Sequence, residues 1–236
     1  MTSEAPNPTP NILVITPHPD DAESGAGGSI ARWTSLGSKV SLVVCTNGDK
    51  GTSDLEMSPG ELAKIREKEQ LKSAKVLGID HVSFLQFPDQ GLEDTDEFRE
   101  KLVREIRLHQ PEIVLTMDPN RPYLGHRDHR ITGRVALDAI FPYARDHHAY
   151  PEHMKEGLQP HKVRQVYLWG SDQPDTFLDV TEYFDRKMEA LFCHKSQVGD
   201  GSDGARRDRW KERYREAGRK AGVELAESFK RIDIMF

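Results

Sequence analysis

Cysteine is nearly absent: Cys45 and Cys193 are the only two in 236 residues. A pair cannot supply a four-thiolate metal centre. Cys45 lies in an apolar run and Cys193 in a predicted helix, so both read as buried thiols rather than a disulfide. That usage suits a reducing compartment, the cytoplasm. Long apolar runs are missing too. None exceeds about six residues, against the roughly 20 that a membrane helix needs, so no membrane span is expected. The N-terminal MTSEAPNPTP has neither a basic region nor an apolar core and is not a signal peptide. Residues 1–10 read as a loose leader before a single domain over 11–236. An excess of basic residues is also lacking. The net charge of -6 argues against nucleic acid as a partner. Finally, no G-x-G-x-x-G directly follows the first strand, which argues against a dinucleotide site.

What remains is a soluble, heavily charged chain (31% Asp, Glu, Lys and Arg) in which apolar strands alternate with amphipathic helices. Strands are expected at Ile12–Ile15, Lys39–Thr46, Val82–Leu85 and Ile113–Met117. Helices are expected at Ala22–Leu36, at Asp94–Gln110, and from the capping box Ser58-Pro59-Gly60-Glu61 to Leu77. A further helix carries Ile131, Val135 and Ala139 up to Pro142. Val163–Trp169 and Thr176–Val180 read as later strands, and the C-terminal third as helices over Glu182–Cys193 and from Gly204 to about Ser228. This alternation predicts an α/β, Rossmann-like fold: a mostly parallel sheet flanked by helices on both faces, with a helical C-terminal part.

The chemistry gathers at two strand ends. After Ile12–Ile15 come His18, Asp20, Asp21 and Glu23, a crowding of acids that a cation or a reaction must justify. After Ile113–Met117 come His126, Arg127, Asp128 and His129. In an open α/β sheet both ends face one rim, where sites form. His18, Asp21 and His129 would supply the two nitrogens and one oxygen typical of a catalytic zinc site. Asp20, between two ligands but pointing elsewhere, suits a general base. His126 and Asp128 suit an imidazole and its orienting carboxylate, placed to stabilise charge on a substrate oxygen. Prolines 17 and 19 restrict the first loop.

PHPDDAE before a Gly-rich helix start, together with HRDH, resembles the PIG-L/LmbE-like family of metal-dependent N-deacetylases. Asn47-Gly48-Asp49-Lys50-Gly51, the Arg66 and Glu69 pair, Phe87-Pro88-Asp89 with Gly91-Leu92, and His194-Lys195-Ser196-Gln197 extend the resemblance over most of the chain. It implies zinc (or ferrous iron) held by His18, Asp21 and His129, Asp20 as base, and His126 with Asp128 steadying the tetrahedral intermediate. Arg66 would reach substrate hydroxyls. Tyr123 is the substrate-side candidate among tyrosines, one residue further from His126 than in members with a mobile active-site tyrosine. Arg127 stands where proline is frequent. The implied substrate is an N-acetylated amino sugar, an N-acetylglucosamine conjugate, and trimers or hexamers are expected of such enzymes. Two rivals stay open: an amidase on another acyl-amine such as a thiol-sugar conjugate, and a non-catalytic sugar- or nucleotide-binding module.

Outside these motifs, His147, His148, His153 and His161 are expected in a solvated loop, and Glu23 near the N-terminus of the following helix. His194 suits either a structural hydrogen bond or a substrate contact. Asp200-Gly201-Ser202-Asp203-Gly204 reads as a surface turn, since it lacks the later ligands of a calcium loop. The basic stretch Arg206–Lys220 should pack through Trp210, Tyr214, Ala217 and Ala221. Its other face is either plain charged surface or a contact for an anionic substrate or a neighbouring subunit.

Overall fold

The two strands richest in apolar residues, β1 (Ile12–Thr16) and β2 (Val40–Thr46), are buried at every position. Burial on both faces is the condition of a central parallel strand covered by crossover helices. In the computed structural model, which describes residues 9–123, 125–199, 201–202 and 204–235, these strands anchor a seven-stranded sheet. Its order is β3-β2-β1-β4-β5-β7-β6, with β3 at His81–Phe87, β4 at Ile113–Met117, β5 at Gln165–Trp169, β6 at Thr176–Asp179 and β7 at Ala226–Asp233. β1 pairs in parallel with β2 on one side (Ile12 opposite Val40) and with β4 on the other (Ile12 opposite Ile113). The chain therefore reverses its direction of travel across the sheet between β1 and β4, the switch point at which such sheets open a crevice.

Alternate residues of β1 face opposite cores. Leu13 and Ile15 pack with Phe98, Leu102 and Ile106 of α3 (Asp96–His109) and with Val135 and Ala136 of α4 (Arg127–Asp138). Ile12 and Val14 pack with Ala22, Ala26 and Ile30 of α1 (Asp21–Ser35) and Leu77 of α2 (Pro59–Leu77). Each such side chain contributes about 1.5–3 kcal/mol on burial. The expected capping box closes α2: Glu61 N–H donates to Ser58 Oγ at 3.3 Å and Ser58 N–H to Glu61 Oε2 at 3.2 Å. Gly78, at φ 77°, ends that helix in the left-handed region that glycine adopts without penalty. Among the described residues no helix is long and apolar enough to cross a membrane.

Three expectations change. The C-terminal helix, α8 (Gly204–Ala221), stops at Ala221, and Ala226–Asp233 is instead strand β7, antiparallel to β5 and β6. The run Glu224-Leu225-Ala226-Glu227 favours a helix locally, but the backbone from Ala226 onward completes the sheet between β5 and β6. The helix expected over Glu182–Cys193 shortens to α6 (Phe184–Leu191), behind a 3₁₀ turn at Thr181–Tyr183, and Cys193 is half-buried where Cys45 is fully buried. His153, in the short helix α5 (Glu152–Lys155), is fully buried, its Nδ1 3.3 Å from Arg107 Nη1 and its Nε2 2.6 Å from Glu100 Oε1. His147 and His148 are exposed, as expected. The leader and the Asp200–Asp203 turn rest largely on residues 1–8, 200 and 203, outside the described residues.

β7 also brings a buried charge into the core. Glu227 and Lys187 of α6 are 0% exposed and lie 2.6 Å apart (Oε1 to Nζ). Glu227 accepts the amides of Gly28 (2.9 Å) and Ser29 (2.7 Å), while Lys187 and Tyr214 donate to Ser24 O at 3.0 and 2.7 Å. These groups fix α1 from the side opposite the first loop. Breaking such a pair leaves an uncompensated buried charge, so Glu227→Ala should cost about 3–5 kcal/mol in urea denaturation. A loss below about 1 kcal/mol would show that the pair is solvated or replaceable.

Candidate active site

The first loop leaves β1 at Thr16, whose Oγ donates to His18 O (3.3 Å), and Pro17 O accepts the Thr46 amide (2.9 Å). Asp20 precedes α1 with φ at 94°, a left-handed conformation costing an L-residue roughly 1–2 kcal/mol. Such strain persists where surrounding contacts over-determine it. Here they do: Asp20 N–H donates to Gln70 Oε1 (3.2 Å), and Arg66 Nη2 reaches both Pro19 O (2.6 Å) and Asp20 Oδ2 (3.1 Å). Arg66 Nη1 donates to Gly48 O (2.9 Å), and a Cβ on Gly48 would stand 2.6 Å from that same nitrogen. Glycine at 48 thus lets the arginine lie against the loop.

The second loop runs from β4 to α4. His126 caps α4 by accepting the Asp128 amide at Nδ1 (3.2 Å), and the first turn then presents Asp128 and His129. A Cβ on Gly133 would fall 2.2 Å from Met117 O, so only glycine lets α4 lie this close to the end of β4.

The two loops bring three donors into a triangle. His18 Nδ1 is 3.0 Å from Asp21 Oδ2, His129 Nε2 is 3.1 Å from the same oxygen, and the two nitrogens are 3.3 Å apart. Ligands about 2.0–2.1 Å from a tetrahedral zinc stand roughly 3.3 Å from each other, so the donor set and its spacing fit such an ion. The other nitrogen of His18 faces the core. Its Nε2 lies 3.2 Å from Asp128 Oδ2 and 3.0 Å from Asp89 Oδ1. A carboxylate on the far nitrogen fixes the tautomer of a metal-binding histidine and raises its basicity. Asp128 is fully buried and held by the amides of Gln90 (2.6 Å) and Leu92 (3.3 Å). Its carboxylate therefore orients His18, not His126 as the sequence suggested; only its backbone touches His126.

Charge in the cluster is lopsided. Burial works against a charged His18, but Asp128, Asp21 and Asp89 push its pKa up to about 11 in the metal-free protein. Burial likewise opposes ionisation of Asp21, yet His129 and His18 hold its carboxyl far below the usual range. Asp20 goes the other way: burial first, then the charge of Asp21, raise it to about 7 against the opposing pull of Arg66. His126 is lowered by burial and by His18 and His129, so it stays neutral; with Nδ1 accepting an amide, its proton sits on Nε2.

The sequence marked Asp89 and Glu69 through the family resemblance without a role, and gave no sign of Gln70. Asp89 follows β3, the same strand-end placement that marked the other two clusters, and that signal was available. Glu23 lies in the first turn of α1, as expected. It is fully buried, accepting from Gln70 Nε2 and Ser73 Oγ (2.6 Å each), with His194 Nε2 at 3.5 Å from its Oε2. Gln70 thereby ties the backbone of Asp20 to Glu23. Glu69, on the same helix, accepts from the amide and hydroxyl of Ser196 (2.9 and 2.6 Å). Tyr123 is fully exposed at φ 62°, outside the buried cluster.

A mostly parallel α/β sheet with a two-histidine, one-carboxylate triangle at its switch point defines a Rossmann-like protein with donors of the kind that could hold a metal ion. The profile of the family described as PIG-L, GlcNAc-PI de-N-acetylase, matches residues 13–140, and the chain belongs to that family. It is 37% identical to a diacetylchitobiose deacetylase of Thermococcus kodakarensis over 81% of this chain and 71% of that protein. It is 29% identical to a mycothiol S-conjugate amidase of Streptomyces coelicolor over 77% of this chain and 68% of that one. The crystal structure of an N,N'-diacetylchitobiose deacetylase from Pyrococcus horikoshii superposes with a TM-score of 0.89 at 32% identity, covering 94% of this chain and 84% of that chain.

Proposed function

We propose that the protein is a zinc-dependent hydrolase that removes the acetyl group from an N-acetylated amino sugar of the N-acetylglucosamine-conjugate type. The observation that carries this reading is the triangle of His18 Nδ1, Asp21 Oδ2 and His129 Nε2 with the carboxylate of Asp20 next in the chain. Bound by those three groups, zinc would lower the pKa of a water toward neutrality and polarise the acetyl carbonyl. Ferrous iron would suit the same donors.

The chain's own groups supply the rest. Asp20, held by Arg66 and by Gln70, takes a proton from the attacking water. The new bond joins the water oxygen to the acetyl carbon, and the neutral His126 donates its Nε2 proton as a hydrogen bond to the carbonyl oxygen as charge develops there. Asp20 then returns its proton to the nitrogen as the C–N bond breaks, leaving acetate and a free amine. Asp128 acts through His18, keeping its Nδ1 turned to the triangle. We place the enzyme in the cytoplasm on its two free cysteines, Cys45 and Cys193.

The base must be ionised, so kcat/KM should fall about tenfold per pH unit on the acid side of its pKa. That limb should lie at or below about pH 7, because a cation on the triangle offsets the Asp21 charge that raises Asp20. A profile flat over the whole acid range in which the protein stays folded would remove Asp20 as the base. The amidase alternative is separated by profiling purified protein against N-acetylated sugars and thiol-sugar amides. Release of acetate from the sugars, with the thiol-sugar amides left uncut, is the expected outcome.

A further inference from the structure

One side of the triangle opens onto a cavity of about 260 Å³, with Asp21 and His129 in its lining. Its walls come from the segments after β4 and β5 and from α8, so α8 and β5 bring residues from beyond the stretch that matches the family profile. Arg121, Asp172 and Arg213 supply the charged side chains of those walls. Asp21, the other carboxylate of the lining, is engaged by His18 and His129, so beyond the triangle two guanidiniums stand with one carboxylate in a chain whose net charge is -6. Among the described residues neither arginine makes an ion pair. The surface around them does: Arg215 and Arg219, on the same helix, both pair with Glu212 (2.8 and 2.6 Å).

The wall is also held in place. Tyr214, next to Arg213, is buried and donates to Ser24 O at 2.7 Å, three residues beyond Asp21. That bond fixes α8 beside the triangle and Arg213 over the cavity. Trp169, another lining residue, is 2% exposed, pressed against Gly25, and its indole N–H has no protein acceptor. A buried donor without a partner is costly unless a ligand or water meets it.

We infer that this cavity is the subsite for the substituent attached to the amino sugar, and that it takes an anionic group, a carboxylate or a phosphate, gripped by Arg121 and Arg213. The planar fork of arginine matches both groups in two-point contact. The inference rests on the deacetylase reading for the sugar and deepens it by naming the chemistry of the aglycone.

The test uses the full-length, zinc-loaded protein with three substrates: N-acetylglucosamine 1-phosphate, an N-acetylglucosaminyl glycoside of a hydroxy acid, and the neutral N,N'-diacetylchitobiose. Acetate release should favour one charged substrate over the neutral disaccharide by about tenfold or more in kcat/KM, and rising salt should shrink that ratio. The better of the two charged substrates identifies phosphate or carboxylate as the source. Arg213→Gln and Arg121→Gln, at exposed positions, should each lower the charged-to-neutral ratio several-fold. Preference for the neutral disaccharide, or an unchanged ratio in both variants, overturns the inference and leaves the deacetylase reading standing. If no substrate releases acetate, calorimetry with N-acetylglucosamine 1-phosphate decides. Tighter binding to wild type than to the variants keeps the subsite while the hydrolytic reading fails, and equal binding overturns the subsite as well.

Discussion

Asp20→Asn should retain its metal and lose roughly a thousandfold in kcat, the effect expected when a positioned general base is removed. Asparagine keeps the size of the side chain and an oxygen able to accept from Arg66 Nη2, which stands 3.1 Å from Asp20 Oδ2. Asparagine also tolerates the left-handed backbone that position 20 requires, at φ 94°. The fold is therefore preserved and only the proton acceptor is lost. The acid limb of the pH profile should vanish with it. Zinc content near wild type with turnover near background is the predicted pair of readings. Normal hydrolysis by this variant would assign the base elsewhere, and loss of zinc would make Asp20 a ligand.

His129→Ala should act on the other half of the site. It removes one of three donors, and metal affinity should fall by roughly two orders of magnitude or more, beyond the 10- to 100-fold typical of losing a supporting partner. Asp128→Asn, which disturbs the far side of His18 and the loop amides of Gln90 and Leu92 but removes no donor of the triangle, supplies that smaller comparison. Competition with a chelator of known affinity measures both. Full occupancy in His129→Ala would shift the ligand role to His126, whose ring nitrogen lies within 4.8 Å of the donor atoms of His18 and His129. His126→Ala should instead keep the metal and lose turnover, since its Nδ1 serves the α4 amide and the proposed mechanism uses its Nε2 on the substrate oxygen.

The parallel half of the fold was readable because its signals are local. Short β-branched runs bounded by turn residues marked β1, β2 and β4, and Ser58 with Glu61 marked the start of α2 to the residue. The convergence of His18, Asp21 and His129 was readable for a related reason: both loops end parallel strands, and parallel strand ends share a rim. What escaped was set by tertiary pairing. Ala226 to Ser228, read as the end of the C-terminal helix, instead begin a strand because β5 and β6 need a partner between them. Glu227 is charged and therefore reads as surface, yet Lys187 and two helix amides neutralise it inside. Asp128 sits two residues from His126, which suggested that pair, but the first turn of α4 turns its carboxylate toward His18. Spacing along the chain does not reveal which way a side chain points at a helix start.

In the proposed mechanism, hydrolysis depends on a cation held by His18, Asp21 and His129. The most direct test is acetate release from an N-acetylglucosamine conjugate by one preparation before chelation, after it, and after zinc is restored, with metal content measured at each stage. The account predicts one metal ion per chain at the start, activity lost in proportion to metal removed, and recovery on adding zinc back. Acetate release that continues undiminished in metal-free protein would contradict it.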